Sequence, residues 1–307
     1  MRIKAKPLRS ALYVPGNKIE WIRKAPKYGA DALILDLEDS VPIGEKIAAR
    51  ANVKDMLEEL GNVGHTLIVR VNSLGSGLIG SDLEAVISQN LYGIILPKVQ
   101  SAADVLEVDT LLNLFESRAR VSIGRTFVDP GLETALGVRN AYEIAMASPR
   151  VVHMGGSGGK GGDTARSIGY HWTAEGNETL FLRSKVLIDS RAAGVEFPLS
   201  GGWFEIRDLD GLKKYANGLK NLGYTGMHII HPSHVPIVNE IFTPTEGDIA
   251  TWKGLVQAMA QMRKEGGAAV AYNGDMVDIA HEETAKSMLL MAYDLGLIDE
   301  SELIFDK

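Results

Sequence analysis

Residues 31–38 have the sequence DALILDLE, in which an almost continuous apolar run ends in acidic residues. A strand that is apolar on both faces is typical of a parallel sheet covered by helices on both sides. A helix-like segment, residues 43–60, follows directly. This strand–helix unit predicts an α/β fold built on a parallel sheet.

The same pattern recurs along the chain. The segments with the pattern of strands are residues 11–15, 31–38, 65–72, 92–99, 121–127, 151–155, 203–206 and 226–232. The helix-like segments between them include residues 43–60, 81–89, 102–117 and 209–222. Strand–helix alternation repeated eight times is typical of a TIM (β/α)8 barrel, and this is the predicted fold class.

The last part of the chain exceeds what a barrel needs. A proline-containing break at residues 243–245 precedes two further helix-like segments, residues 248–264 and 278–295. About 60 residues are few for an independent domain, so we predict a barrel over residues 1–245 and a C-terminal helical extension over 246–307. The final helix carries an apolar pattern at Ala280, Ala285, Met288 and Leu289. Such a face must be buried, and a neighbouring subunit is its predicted partner.

Composition excludes several classes of protein. The 307 residues contain no cysteine, which excludes disulfides, a thiolate nucleophile and zinc–cysteine sites. The net charge of −7 argues against a nucleic-acid surface. No apolar run reaches the roughly 18–20 residues of a membrane span, and the basic N-terminus lacks the apolar run of a secretory signal. These features predict a soluble cytoplasmic protein that binds neither nucleic acid nor membrane.

Unusual polar residues occur where the predicted strands end, which is where barrels place catalytic groups. Asp36 and Glu38 lie two residues apart, so they share a face of their strand. Two adjacent carboxylates need a cation, a proton or hydrogen-bond donors. They belong either to a functional site or to a network satisfied by backbone groups and a lysine.

Two basic residues follow at the ends of the next strands. Arg70 requires an anion if it is buried, either a substrate carboxylate or an internal partner such as Asp36 or Glu38. Lys98 could act as a Schiff-base nucleophile or pair with Glu38. The number of acids nearby favours the pair.

Glu133 and Asp163 are acids that follow the fifth and sixth predicted strands. Two carboxylates with waters and substrate oxygens are a usual way to hold Mg²⁺, although acids at helix starts also serve as caps. The glycine-rich residues 155–162 could bind a phosphate, but a flexible surface loop is the favoured interpretation. His153 is predicted to be a core residue, and His231 a hydrogen-bonding group.

Several motifs occur in a recognisable order. They are RSALYVPGN at 9–17, LILDLEDSV at 33–41, VRVN at 69–72, LPKV at 96–99, LETALGVRNAYEIA at 132–145, IHPS at 230–233 and MVDIAHEETAKSML at 276–289. In this order the chain resembles the citrate lyase β-subunit family, also called the HpcH/HpaI aldolase/citrate lyase family, which includes malyl-CoA and citramalyl-CoA lyases. The resemblance covers essentially the whole chain.

The resemblance implies a TIM barrel, Mg²⁺ or Mn²⁺ as cofactor, and a homotrimer or homohexamer. The implied reaction cleaves a 3-hydroxyacyl thioester, such as malyl-, citramalyl- or citryl-CoA, into an acyl thioester and an α-keto acid. Alternatives are a metal-dependent aldolase acting on free hydroxy or keto acids without CoA, and a non-catalytic barrel subunit.

The resemblance also implies roles for individual residues. Glu133 and Asp163 would be the metal ligands, while Arg70, Asp36, Glu38, Lys98 and Asp278 would be the catalytic residues. Arg9, Arg70, Pro130 and Gly131 would bind the substrate. Asp278 would reach an adjacent subunit's barrel near the thioester, or else it caps the final helix.

The chain departs from the family pattern at several positions. Met227 stands where the family has lysine, Gln100 where it often has glutamate, and residues 155–162 form a remodelled loop before Asp163. The residues around Ser200 and Gly201 replace an aspartate that is common in the family. These departures leave the acyl carrier and the substrate open.

Overall fold

The computed structural model describes residues 4–305, which divide after Phe242 into two compact units. The division lies beside the proline-containing break at residues 243–245. Among the described residues, none of the helices combines the length and the apolar character needed to cross a membrane.

The first unit is built on a parallel sheet that has seven strands within residues 4–242. The strands are β1 Ser10–Pro15, β2 Ala32–Asp36, β3 Leu67–Arg70, β4 Gly93–Leu96, β5 Phe127–Pro130, β6 Leu199–Ser200 and β7 Gly226–Ile229. Their order in the sheet is β5-β4-β3-β2-β1-β7-β6. The predicted α/β class with a parallel sheet is therefore confirmed.

Helices connect these strands. They are α1 Ile19–Lys24, α2 Lys46–Gly61, α3 Ile79–Val86, α4 Ala102–Ala119, α5 Ala135–Arg139, α6 Ala141–Met146, α7 Asp163–Ile168, α8 Leu180–Ala192, α9 Leu209–Leu222 and α10 Val235–Phe242. Short 3-10 turns lie at Ala25–Tyr28, Ile43–Glu45, Leu74–Ser76, Asn177–Thr179 and Pro232–His234. The predicted helix at residues 209–222 has the observed bounds of α9.

The sheet has two differently packed faces because side chains alternate along each strand. The larger core includes Leu33, Leu35 and Val69, and it is shared with the helices. The intervening residues form a second cluster that joins strands with strands, namely Ala11, Ala32, Ile34, Ile68, Ile95 and Leu199, with Leu8 before β1. A cluster of this kind requires the strands to face one another, so the sheet is curled.

One contact across the sheet shows how far it curls. Asp129 on β5 and His228 on β7 approach to 3.1 Å between Oδ2 and Nε2. Four strands separate β5 from β7 in the sheet order, which in a flat sheet would place them roughly 24 Å apart. The two strands therefore face each other across the inside of the curl.

Three of the predicted strands differ in the structure. The strand expected at 121–127 is β5, shifted to Phe127–Pro130, because Glu116 accepts hydrogen bonds from the backbone of Gly124 and Thr126 and folds the preceding residues into a loop. Residues 151–155 form an isolated bridge, Val128 with Val151, and not a strand. Residues 203–206 are also not a strand, because Trp203 packs among Trp172 and Tyr215. The strand there is β6, which is earlier in the chain.

The glycine-rich residues 155–162 are not the flexible surface loop that was expected. Gly156 and Gly158 are buried. A Cβ atom on Gly155 would lie 1.8 Å from the carbonyl oxygen of Leu199, and one on Gly158 would lie 2.6 Å from Thr179 Oγ1. Glycine is needed here because the backbone packs directly against its neighbours. Only the end of the segment, residues 160–162, is exposed.

The second unit contains α11 Glu246–Lys264, a hairpin of β8 Val270–Tyr272 and β9 Asp275–Val277, and α12 Ile279–Asp294, followed by a 3-10 turn at Glu300–Glu302. Ala285 and Leu289 of the predicted apolar pattern are buried in a core that they share with Ile249 and Val256 of α11. Ala280 is exposed. Much of the apolar face of α12 is thus covered within its own unit, and packing on a neighbouring subunit stays a prediction.

Candidate functional site

A cavity of about 460 Å³ lies in the first unit, at the carboxyl ends of its strands. Its walls include the ends of β1, β2, β3, β5 and β7, together with part of the glycine-rich segment. The predicted site residues that line it are Asp36, Arg70, Pro130, Gly131, Glu133 and Asp163. Polar groups that converge in a concave pocket at this end of a parallel sheet are the usual form of an active site.

Arg70 and Asp36 form a two-point ion pair. Arg70 Nε and Nη2 donate to the two oxygens of Asp36 at 2.7 and 2.6 Å. Asp36 is 1% exposed and also accepts from the backbone N–H groups of Glu38 and Ser40. Burial raises the pKa of Asp36, but Arg70 outweighs it and the net pKa lies below the usual value. The internal partner considered for Arg70 is therefore present.

The rest of the Arg70 guanidinium faces the cavity. Nη1 lies 3.2 Å from Glu38 Oε2, and the group stacks 5.0 Å from the centre of the Tyr13 ring. Its side chain is 16% exposed. Since Asp36 occupies only Nε and Nη2, the remaining edge is available to a ligand carboxylate.

Lys98 pairs with Glu38, as predicted. Nζ lies 2.5 Å from Glu38 Oε1 and 3.6 Å from Asp163 Oδ2. Burial lowers the pKa of Lys98, but the hydrogen bond and charge of Glu38 raise it above the usual lysine value. A Schiff-base nucleophile needs the opposite shift, so the structure favours the ion pair. The backbone of Lys98 is left-handed, with φ 59°.

Glu133 is the least satisfied acid in the cavity. Within residues 4–305 its carboxylate takes part in no hydrogen bond or ion pair. Burial, with a smaller contribution from the charge of Glu38, raises its pKa to about 7. Asp163, at the first position of α7, pairs with Lys98 and Arg166 and makes no capping bond.

This donor set suits a hard cation. Mg²⁺ is typically held by one or two carboxylates, with waters and substrate oxygens completing its octahedron. An unpaired, half-buried carboxylate at Glu133 gains most from such a cation. No group of three or more histidine or acidic side chains in the described part of the chain has the geometry of a metal site, so an all-protein cage is absent there.

Glu38 and Lys98 are not part of the lining but contact it through Arg70 and Asp163. The two remaining predicted site residues have other contacts. Arg9 precedes β1, at the opposite end of the strands, and pairs with Asp31 at 2.6 Å. Asp278 lies in the second unit and caps α12, accepting from the backbone N–H of Ala280 at 3.0 Å, with His281 Nδ1 2.7 Å from Oδ1. The capping role considered for Asp278 is present.

Among the residues of the cavity wall that were not predicted from the sequence are Tyr13, Asp129 and His228. Asp129 was hidden because its strand was placed too early. Alternation along residues 226–232 puts His228 on the opposite face from Met227, which is fully buried in the core, and could have revealed it. His153 is confirmed as a core residue, with hydrogen-bond contacts to Tyr92 and the Phe197 carbonyl.

Comparison with known proteins gives a consistent assignment. Residues 9–232 match HpcH/HpaI aldolase/citrate lyase. Citrate lyase subunit beta of Leuconostoc mesenteroides subsp. cremoris is 30% identical over 299 residues, which cover 97% of this chain and 98% of that protein. Mitochondrial citramalyl-CoA lyase of Rattus norvegicus is 29% identical over 298 residues, covering 93% and 86%.

A solved structure agrees over nearly the whole length. The crystal structure of CitE from Mycobacterium tuberculosis in complex with magnesium, acetoacetate and coenzyme A has a TM-score of 0.72 and 30% identity, and covers 95% of this chain and 100% of that one. The family match, the relatives and the shared fold lead to one conclusion: the chain belongs to the HpcH/HpaI aldolase/citrate lyase family.

Proposed function

We propose that the chain is a Mg²⁺-dependent carbon–carbon lyase. It cleaves a 3-hydroxyacyl thioester, such as malyl-, citramalyl- or citryl-CoA, into an acyl thioester and an α-keto acid. The observation that carries the proposal is the unpaired carboxylate of Glu133 in a cavity that also presents an edge of Arg70. The names of the relatives and the magnesium and coenzyme A in the CitE complex support it.

Glu133 and Asp163 would hold the metal ion. When bound, Mg²⁺ or Mn²⁺ supplies Lewis acidity toward the carbonyl and carboxylate oxygens of the keto acid. Lys98, 3.6 Å from Asp163, and Arg70 surround these acids with positive charge. Their positive charges partly offset the effect of burial on the pKa of Glu133.

Arg70 orients the keto acid. Its Nη1 edge donates to the carboxylate, while Asp36 fixes the guanidinium from behind through two hydrogen bonds. Glu38 and Lys98 form the adjoining wall. Pro130 and Gly131 contribute backbone surface beside the same cavity.

Cleavage moves one proton. The 3-hydroxyl loses its proton, its electrons form the carbonyl of the keto acid, and the broken C–C bond leaves an enolate that takes up a proton at carbon. Asp278 of an adjacent subunit is proposed to exchange that proton, in a homotrimer or homohexamer whose C-terminal extension covers the neighbouring barrel.

The proposal includes a closed (β/α)8 barrel. The bridges Val128–Val151 and Ser157–Gly201 support it, because they place the chain between Val151 and Ser157 beside β5 at one end and next to β6 at the other. That segment would fill the remaining strand position.

A substrate panel tests the reaction. Malyl-, citramalyl- and citryl-thioesters and the free hydroxy acids are incubated with the protein, with Mg²⁺ or after chelation. We expect α-keto acid release from at least one thioester, lost on chelation and restored by Mg²⁺. Release from free acids alone would instead identify an aldolase without CoA. Absence of both turnover and Mg²⁺ affinity in calorimetry would identify a non-catalytic barrel.

Mixing inactive variants tests the shared site. Asp278→Asn chains are co-assembled with Glu133→Gln chains, so that some interfaces combine an intact barrel with an intact Asp278. We expect activity to return in the mixed oligomers. Mixed oligomers without activity would contradict the role of Asp278 in a neighbouring site.

A further inference from the structure

The cavity holds a second polar pair that the proposed mechanism does not use. Asp129 Oδ2 and His228 Nε2 lie 3.1 Å apart, and both residues line the cavity. The distance suits a hydrogen bond but the direction does not, since neither atom has a hydrogen-bond partner in the described part of the chain. Asp129 is 7% exposed. An unpartnered carboxylate this deeply buried calls for an explanation.

The surroundings of the pair offer no internal partner. His228 packs edge-on against Tyr13, with ring centres 6.0 Å apart. Ile95 lies beside Asp129 in the sheet register. The nearby cation, Arg70, donates two hydrogen bonds to Asp36 and lies beside Glu38, and it forms no ion pair with Asp129 among the described residues. Within residues 4–305, the side chains of Asp129 and His228 take part in no hydrogen bond with another residue, so a ligand is the remaining source of one.

The chemistry of the pair selects the ligand group. A carboxylate only accepts hydrogen bonds, while an imidazole can donate from one nitrogen and accept at the other. A hydroxyl group both donates and accepts, so it can satisfy the two side chains together. A ligand carboxylate would be repelled by Asp129, and a methyl group would leave both polar groups unsatisfied.

We propose that Asp129 and His228 form a hydroxyl-binding subsite in the cavity, which selects keto acids carrying a hydroxyl group on the carbon next to the carbonyl. The proposal deepens the proposed function and rests on it, because that function positions the keto acid between Arg70 and the metal ligands Glu133 and Asp163. It predicts preference for a hydroxylated substrate over one with a methyl or an extra carboxylate at that carbon.

The test compares two keto acids that differ by one hydroxyl. Binding of hydroxypyruvate and pyruvate to the full-length, Mg²⁺-loaded protein is measured by isothermal titration calorimetry. In the wild type we expect hydroxypyruvate to bind about tenfold more tightly, the typical effect of one hydrogen bond to a charged group. In His228→Phe and in Asp129→Leu the two affinities should become equal, because the two acids differ only by the hydroxyl that the pair binds.

The variants are chosen to keep the fold. His228→Phe retains a ring against Tyr13, and Asp129→Leu replaces an unsatisfied buried carboxylate by an apolar side chain of similar size. His231→Phe is the matched control, because His231 is outside the cavity wall and contacts Ser233. It should keep the tenfold preference. Thermal unfolding of each variant verifies that it is folded.

The outcomes separate this proposal from the lyase function. The subsite is overturned by any of three results. They are equal affinities in the wild type, binding of neither acid, and a preference that survives in a folded His228→Phe or Asp129→Leu protein. If no thioester is cleaved, including one whose keto-acid half carries the hydroxyl, while the hydroxyl preference is present and lost in the variants, the lyase function is rejected and the subsite is supported. Turnover of thioesters without the preference gives the reverse result.

Discussion

Two buried arginines of the first unit meet their acids in different ways. Arg150 is saturated, since each of its five N–H groups has an acceptor. Nε donates to Asp109 at 2.5 Å, Nη1 to Glu116 and the Thr126 carbonyl at 2.9 Å each, and Nη2 to Asn113 at 2.8 Å and Glu116 at 2.7 Å. Glu116 is 0% exposed and also accepts from two backbone N–H groups.

The polar groups around Arg70, by contrast, are not all hydrogen-bonded. Asp36 takes two of the donors of Arg70. Among residues 4–305, however, Glu38 Oε2, Asp129 Oδ2 and His228 Nε2 have no hydrogen-bond partner. Both groups of charges are largely buried, yet only Arg150 has an acceptor for every N–H group of its guanidinium. A saturated cluster holds the fold together, whereas an unsaturated cluster beside a cavity keeps its capacity for a metal ion and a ligand.

The largest expected effect is on catalysis, at Glu133. Glu133→Gln should lower the lyase rate by about a thousandfold or more, because a hard cation needs the anionic oxygen. The free energy of unfolding should be unchanged or increased, since an unpaired buried charge is removed. Thioester cleavage assays and urea denaturation measure the two effects. Glu143→Gln, on the exposed surface of α6, is the control and should change neither. Unaltered Mg²⁺ affinity in both Glu133→Gln and Asp163→Asn would refute the metal assignment.

The next effect is on stability, at Arg150. Arg150→Met should lower the free energy of unfolding by about 3–5 kcal/mol, because Glu116 is left as a buried charge without its partner. The activity per folded molecule should stay near wild type. Arg118→Met is the matched control, since Arg118 and Glu84 form an exposed pair worth less than about 1 kcal/mol. A small loss of stability in both variants would show that the complete set of hydrogen bonds at Arg150 stabilises the fold no more than the exposed pair of Arg118.

The stability defect of Arg150→Met should depend on pH. In the wild type, burial raises the pKa of Glu116, but Arg150 outweighs it and the net pKa lies below the usual value. Its contribution is therefore present above the usual glutamate pKa and is lost as pH falls through the lowered value. Without Arg150, the pKa of Glu116 rises above its wild-type value, because only the N–H groups of Gly124 and Thr126 then oppose the effect of burial. Protonation of Glu116 therefore relieves the variant as pH falls. The difference in unfolding free energy should be smaller at about pH 5 than at about pH 7, and a constant difference would exclude Glu116 as its cause.

The smallest effect is expected for Arg70→Lys. Lysine keeps the charge but lacks the planar fork of the guanidinium. Its single ammonium group can stay paired with Asp36, but the contact that Nη1 offers to a ligand carboxylate is lost. Pyruvate affinity should fall about tenfold, the typical effect of one charge-assisted hydrogen bond, with less loss of stability than in Arg150→Met. Calorimetry and urea denaturation give both values. Unfolding of Arg70→Lys, with little change in affinity, would assign Arg70 to the fold.

The strand-end pairs could be predicted from the sequence because alternation along a strand fixes which residues share a face. The placement of Asp36 and Glu38 on one face follows from that rule, while the pairing of Lys98 with Glu38 followed from the number of acids at the strand ends. The Arg150 cluster could not be predicted, because it joins α4 to a loop through backbone N–H groups that carry no sequence signal. The same loop shifted β5, and with it Asp129. The Asp129–His228 contact further depends on how tightly the sheet curls, which is a property of the whole sheet.

The position of β1 has a consequence for how the chain folds. β1 pairs with β2 on one side, and on the other side Ser10 is in register with Met227 of β7. During synthesis β1 leaves the ribosome long before β7. One edge of β1 therefore stays uncovered until almost the entire unit has been made. Contacts so distant in sequence form slowly, and an uncovered strand edge invites pairing with other chains. Folding during synthesis thus leaves one edge of β1 exposed until β7 is available, and this is an edge that a chaperone binding extended segments would protect in the nascent chain.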